Sequence, residues 1–360
     1  MGISWRELKN LQKPVHGGVN LQELRLLGLT PGEVIDFSAN INPWGPPPRV
    51  REVLAELALS AYPDPECREL REAISRVTGV DPRQIVPGNG STELIHLLAR
   101  ACLREGDIVV ILAPTYGEYE IACRLAGAKV ILIQAEEEKG FQWNISEACR
   151  KIRRLRPRLA FLCNPNNPTG IYLEQAAVEE LATAMGEGWL ILDEAYISFV
   201  EEAWQATSLL GLGKVVCLRS LTKDYALTAL RLGYALCPPE VATTLFLYQP
   251  CWSVNAAAQA AGIAALSQPE HLFRWRRYIA ESKSYLEREL QELGYKVSPS
   301  AANFLLAEVG DAVALRARLL SRGICVRDCS SFGLPRYIRI AARSIPDSER
   351  LVRALKEVGK

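Results

Sequence analysis

The chain has 360 residues, with 42 Lys and Arg against 41 Asp and Glu, a formal charge of +1 and a hydrophobic content of 49%. That mix predicts a globular protein of about two domains and excludes a disordered chain, a collagen or a small disulfide scaffold. The near balance of charge argues against non-specific nucleic-acid binding, which needs a net basic footprint.

The first residues, Met1-Gly2-Ile3-Ser4-Trp5-Arg6, lead into a mixed charged stretch without an apolar signal core. Residues 1–35 read as an arm. No run reaches about 18 consecutive apolar residues, so no transmembrane helix is indicated and a cytoplasmic location is the expectation. From residue 36 on, apolar runs of strand length alternate with helical patterns. Ile108–Ala113, Lys129–Gln134, Arg158–Cys163, Trp189–Asp193, Lys214–Arg219 and Leu232–Cys237 read as strands, most of them nearly continuous in apolar residues. Strands buried on both faces have that character. Helical stretches such as Tyr116–Ala126 and Glu174–Met185 lie between them. The alternation predicts an α/β large domain over residues 36–248, a mostly parallel sheet with helices on both faces.

Pro238-Pro239 breaks this rhythm, and two long helical stretches follow, Glu240–Leu266 and Pro269–Leu293. Short strands at Asn303–Val309, Ile324–Arg327 and Tyr337–Ala341 then alternate with helices Ala312–Ser321 and Asp347–Val358. Residues 249–360 are expected to form a smaller α+β domain, joined by the arm. The ten cysteines include no Cys-x-x-Cys pair and lie mostly in apolar runs, so they read as buried reduced thiols. With only His16, His96 and His271 available, a His-rich metal site is not expected.

Four elements carry chemistry. Gly88-Asn89-Gly90-Ser91-Thr92 precedes a helical run, where small residues, hydroxyls and free N–H groups suit a phosphate; ordinary N-capping would explain them equally well. Asn164-Pro165-Asn166-Asn167-Pro168-Thr169-Gly170 follows a strand, where open α/β sheets bind ligands, although a plain turn reads the same way. Asp193 ends a strongly apolar strand, so its carboxylate needs a positive or hydrogen-bonding partner, or serves as a helix cap. Lys223, in Ser220-Leu221-Thr222-Lys223, stands just past another buried strand, with Arg231 beyond it. Desolvation there would lower its pKa and free an amine for Schiff-base formation. A lone lysine is more often a surface residue; the coincidence of four elements reverses that expectation.

In this order and spacing, the elements resemble the fold-type-I pyridoxal-phosphate enzymes of the class I/II aminotransferase superfamily, over essentially the whole chain. The resemblance implies pyridoxal 5'-phosphate as cofactor, with Lys223 as its covalent anchor and proton shuttle and Asp193 on the ring nitrogen. Asn167 and Tyr196 would bond the ring hydroxyl, and Tyr116 would stack on the ring. Gly90, Ser91, Thr92, Ser220, Thr222 and Arg231 would hold the phosphate. Tyr62 would reach the neighbouring subunit's cofactor, implying a homodimer with shared active sites. Arg339 would grip a substrate carboxylate by its fork. Two positions depart from the family pattern: Ala229 stands where glycine is usual, and Asp224 follows the lysine.

Within the superfamily, His16-Gly17-Gly18 and Asp36-Phe37-Ser38-Ala39-Asn40-Ile41-Asn42-Pro43 resemble the threonine-phosphate decarboxylases more than the histidinol-phosphate aminotransferases. That resemblance implies a lyase that decarboxylates L-threonine O-3-phosphate to a cobalamin side-chain precursor. His16 and Asn42 would then contact the substrate phosphate. Arg343 reads equally as a second anion contact or a solvated strand-end residue. The alternatives are a histidinol-phosphate aminotransferase, with amino transfer to 2-oxoglutarate, and a serine-phosphate decarboxylase, whose substrate is one methyl smaller. A non-catalytic regulator with this fold is disfavoured, because Lys223 is present and the arm is too short for a winged helix.

Overall fold

The computed structural model describes residues 13–358. In chain order its strands are β1 (Ile35–Asp36), β2 (Ile85–Asn89), β3 (Ile108–Ala113), β4 (Lys129–Gln134), β5 (Leu159–Cys163), β6 (Trp189–Asp193), β7 (Val215–Ser220) and β8 (Leu232–Leu236). There follow β9 (Lys296–Ser298), β10 (Phe304–Glu308), β11 (Ile324–Cys325), β12 (Arg327–Asp328) and β13 (Tyr337–Ala341).

A seven-stranded sheet in the order β2-β8-β7-β6-β5-β3-β4 forms the centre. Strands β4, β3, β5, β6 and β7 run parallel, and β8 is antiparallel to both β7 and β2. The period of two sorts side chains to opposite faces. Ala160, Leu162, Leu190 and Leu192 join one core, while Leu159, Phe161 and Ile191 join the other. Helices cover both, as continuous apolar strands require. The chain is therefore an α/β protein.

A second sheet, β12-β13-β10-β9, is antiparallel, and its core holds Leu286, Leu305, Ile338 and Leu351. Pairing of β1 with β11, Ile35 to Ile324, ties the end of the arm to this smaller unit. The break expected at residue 248 does not coincide with the change of core. Helix Ala256–Leu266 buries Ala258, Ala261 and Ala265 in the larger core. The long helix Pro269–Glu292 serves both, with Leu272 against the larger core and Leu286 and Leu290 inside the smaller.

The helix expected over 240–266 is two helices, Pro239–Tyr248 and Ala256–Leu266. Pro250 separates them, since it lacks the N–H that a continuing helix needs. The cysteines are unpaired; Cys102 is half-buried, Cys251 exposed and the rest buried. Among the described residues, no helix is long and apolar enough to cross a membrane.

Candidate active site

A cavity of about 400 Å³ opens beyond the carboxyl ends of β5, β6 and β7, where Cys163, Asp193 and Ser220 terminate their strands. It brings together His16, Ser91, Thr92, Tyr116, Asn167, Asp193, Tyr196, Ser220, Thr222, Lys223, Arg231 and Arg339. A cluster drawn from so many separate elements is a product of the fold.

Asp193 is buried at the cavity floor. Its Oδ1 accepts from Ala195 N–H at 2.9 Å and its Oδ2 from the Tyr119 hydroxyl at 2.7 Å. Burial raises its pKa, opposed by the Tyr119 bond. Such a carboxylate is poised to accept a positively charged N–H partner. Tyr119 stacks on Phe161 and meets the edge of Tyr116, so the aromatic wall is rigid. Tyr119 was not singled out in the sequence, where Glu118-Tyr119 reads only as part of an amphipathic helix.

Lys223 is lowered from 10.5 to about 8, first by burial and then by the Arg231 and Arg339 charges. Asp224 faces elsewhere: its Oδ2 accepts from the Ser198 hydroxyl at 2.7 Å and its Oδ1 from Tyr225 N–H at 2.8 Å. Burial pushes its carboxyl up to about 6.

One end of the cavity is a hydroxyl-lined cradle. Ser220 Oγ and Thr222 Oγ1 are 2.7 Å apart, and Thr92 Oγ1 lies 3.3 Å from the Tyr116 hydroxyl. Gly90 takes φ +76° to open helix Gly90–Cys102, and a Cβ there would stand 2.9 Å from Arg231 Nη2. A Cβ on Gly233 would approach Ser91 N to 2.6 Å. The backbones are packed so closely that the hydroxyls and helix N–H groups converge with the Arg231 guanidinium on one small anion-sized space.

At the other end, Arg339 donates from Nη1 to Asn167 Oδ1 and from Nη2 to Ser38 O, while its buried Nε has no partner among the described residues. Asn40 donates to the Tyr196 hydroxyl at 3.2 Å, and its buried Oδ1 is likewise unpartnered. Arg327, buried too, sits directly across from Arg339 in the β12–β13 pairing and donates to Val15 O and Ser331 Oγ. A small adjoining cavity touches both guanidinium groups, Asn167 and His16. Arg327 also pairs with Asp328 Oδ2 at 3.5 Å, so of the two guanidinium groups Arg339 is the one with a buried donor left over. Asn40 lies within the quoted N-terminal motif and could have been picked from it; Arg327 sits in a short strand with no pattern to mark it.

Other expected residues lie elsewhere. Tyr62 is 80% exposed, stacked on Trp252 with centroids 4.5 Å apart. Asn42 is buried outside the cavity, its donor and acceptor taken by Asp224 O and Trp44 N–H. Arg343 is also engaged, with Asp347 Oδ2 at 3.1 Å and Asp36 O at 3.2 Å. Both therefore make internal contacts in this structure, Asn42 outside the cavity lining. His16 stays at the cavity mouth, but its Nε2 pairs with Glu118 Oε1 at 2.9 Å.

The donor set fits pyridoxal 5'-phosphate: a buried carboxylate for its ring nitrogen, a lysine of lowered pKa, an aromatic wall and an anion cradle. Residues 32–357 match the Aminotransferase class I and II family. The chain is 33% identical over 355 residues to the histidinol-phosphate aminotransferase of Moorella thermoacetica, covering 96% of this chain and 90% of that one. The enzyme of the same name from Symbiobacterium thermophilum is 35% identical, covering 96% and 95%. A solved structure of histidinol-phosphate aminotransferase from Sinorhizobium meliloti, in complex with pyridoxal-5'-phosphate, superposes with TM-score 0.88 at 26% identity, covering 98% and 96%. The protein belongs to the class I and II aminotransferases, pyridoxal-phosphate enzymes of fold type I.

These relatives overturn the decarboxylase reading and its lyase and cobalamin assignments. A structure of L-threonine-O-3-phosphate decarboxylase from Porphyromonas gingivalis does share the fold, at TM-score 0.77 and 26% identity, covering 90% and 99%. The curated relatives, at higher identity over nearly the whole chain, are histidinol-phosphate aminotransferases. The misreading has a physical source. Of the two residues that the resemblance implied as phosphate contacts, Asn42 donates to a backbone carbonyl and His16 pairs with a carboxylate.

Proposed function

We propose that the protein transfers the amino group of a phosphorylated amine of the histidinol-phosphate type to 2-oxoglutarate. Its cofactor is pyridoxal 5'-phosphate. Bound in the cavity, the cofactor supplies an electron sink for the pair released when a bond to the substrate's α-carbon breaks.

The residues divide the remaining work. Ser91, Thr92, Ser220, Thr222 and Arg231 hold the cofactor phosphate by charge-assisted bonds. Asp193, oriented by Tyr119, holds a proton on the ring nitrogen. Asn167 and Tyr196 bond the ring hydroxyl, and Tyr116 stacks on its face. Lys223 Nζ anchors the cofactor between turnovers. During turnover that amine, brought down to about 8 by burial, would take up the substrate's α-proton and hand it back.

The observation that carries the substrate class is Arg339 in the cavity wall, facing Arg327 in the β12–β13 pairing, with its buried Nε unpartnered among the described residues. Transamination presents two different anions in turn, the phosphate of the amine and the carboxylates of the keto acid. A paired guanidinium site satisfies both, and a bidentate fork suits either. Tyr62, exposed beside Trp252, is assigned to a second copy of the chain.

The test is product analysis with L-histidinol phosphate and 2-oxoglutarate. Glutamate formed one for one with the keto product of the amine supports the proposal. Absence of glutamate, or carbon dioxide released from a phosphorylated amino acid without any keto acid, overturns it.

A further inference from the structure

Lys223 lies beyond the end of β7, and the sheet no longer fixes its backbone. The last bonded pair of β7 with β8 is Ser220 with Gly233, followed by Leu221 N–H to Leu232 O at 3.1 Å. Residues 222–224 are irregular. A buried carbonyl without a partner is costly, so something else must satisfy this turn. Thr222 O accepts from the Thr228 hydroxyl at 2.9 Å. The next two carbonyls both go to Asn42: its backbone N–H donates to Lys223 O at 2.8 Å, and its Nδ2 donates to Asp224 O at 3.0 Å.

Asn42 is itself pinned. Its Oδ1 accepts from Trp44 N–H at 3.1 Å, and the Trp44 ring stacks on Trp275 of the long helix at 4.6 Å. His271 Nε2 meets Gly45 O at 3.1 Å on the same helix. Pro43, between Asn42 and Trp44, fixes φ and stiffens the link. Only a short carboxamide gives a donor and an acceptor at this reach, since aspartate lacks the donor and alanine lacks both.

We propose that Asn42 is a positioning residue for Lys223, clamping the lysine's own carbonyl and that of the next residue so that the amine is held where the proton must move. The proposal rests on Lys223 being the cofactor lysine. It assigns Asn42 to the rate of the proton step and not to substrate affinity.

The test uses Asn42→Ala and Asn42→Asp in the cofactor-loaded enzyme. Both lose the Nδ2 donor, and aspartate keeps the size and the Trp44 acceptor should alanine fail to fold. A misplacement of the amine predicts a kcat lower by about 10- to 100-fold, with KM for the amine and the keto acid unchanged. A second readout needs no turnover. In the full chain stripped of cofactor, trinitrobenzenesulfonate should label Lys223 of Asn42→Ala faster than in the wild type, as peptide mass mapping reads. A raised KM for the phosphorylated amine at unchanged kcat would overturn the clamp in favour of a ligand role. A lower melting temperature with kcat and labelling unchanged would overturn it too. Borohydride reduction of Lys223→Ala separates the underlying reading: a reducible linkage surviving at another lysine sinks the cofactor assignment, whatever Asn42 does.

Discussion

Lys223 illustrates how a single residue's chemistry is set by where its backbone is held. Burial and two neighbouring guanidinium groups bring it from 10.5 to about 8. In the chain without cofactor, the folded state therefore releases a proton near pH 8 that the unfolded state keeps until about 10.5. The unfolded state binds more protons across that window, so stability rises with pH through it. Urea unfolding between pH 8 and 10 should show this rise, and Lys223→Met should flatten it. Arg339 supports a prediction about binding. Lys cannot reproduce a planar fork with bonds to Asn167, Ser38 and a ligand at once. Arg339→Lys should lose about 1.5–3 kcal/mol per charged bond forfeited, read as a fall in kcat/KM for both substrates. Arg327→Ala should raise both KM values while leaving the cofactor absorbance unchanged, since Arg327 does not line the main cavity.

The elements differ in how far they could be read from sequence, and the difference is physical. β3, β5, β6 and β7 are buried on both faces, so their apolar runs announce them. β2 carries Pro87-Gly88-Asn89, which reads as a turn. It survives as a strand because it is the edge of the sheet, where a missing N–H is tolerated. β1 is two residues long, too short to show any period, while the single strand read at Ile324–Arg327 is two short ones, β11 and β12. The residues that the fold gathers into the hydroxyl-lined cradle were marked in the sequence because a helix start, hydroxyls and an arginine form a chemical pattern. Tyr119 and Arg327 were not, since only the folded chain places one on Asp193 and the other opposite Arg339. The cradle itself depends on close backbone packing between β8 and the helix start. Gly233→Ala would force a Cβ to 2.6 Å from Ser91 N. Overpacking of this kind costs about 1–3 kcal/mol. The variant should therefore melt lower and bind cofactor phosphate more weakly, by calorimetric titration with pyridoxal phosphate.

At the scale of the molecule, several large apolar side chains remain uncovered on one chain, among them Leu59, Tyr62, Leu247 and Trp252. Their burial by a second copy is the expected outcome. Sedimentation should give twice the mass of 39.9 kDa, and Tyr62→Ala should weaken cofactor retention without changing the fold.

The helix Pro269–Glu292 is built into both cores, Leu272 at one end and Leu286 and Leu290 at the other. A beam shared by two rooms cannot be removed from one alone. Heating should therefore melt the two units of the chain in a single endotherm. Leu286→Ala, made in the smaller core, should lower the melting point of the whole subunit and not split the peak in two.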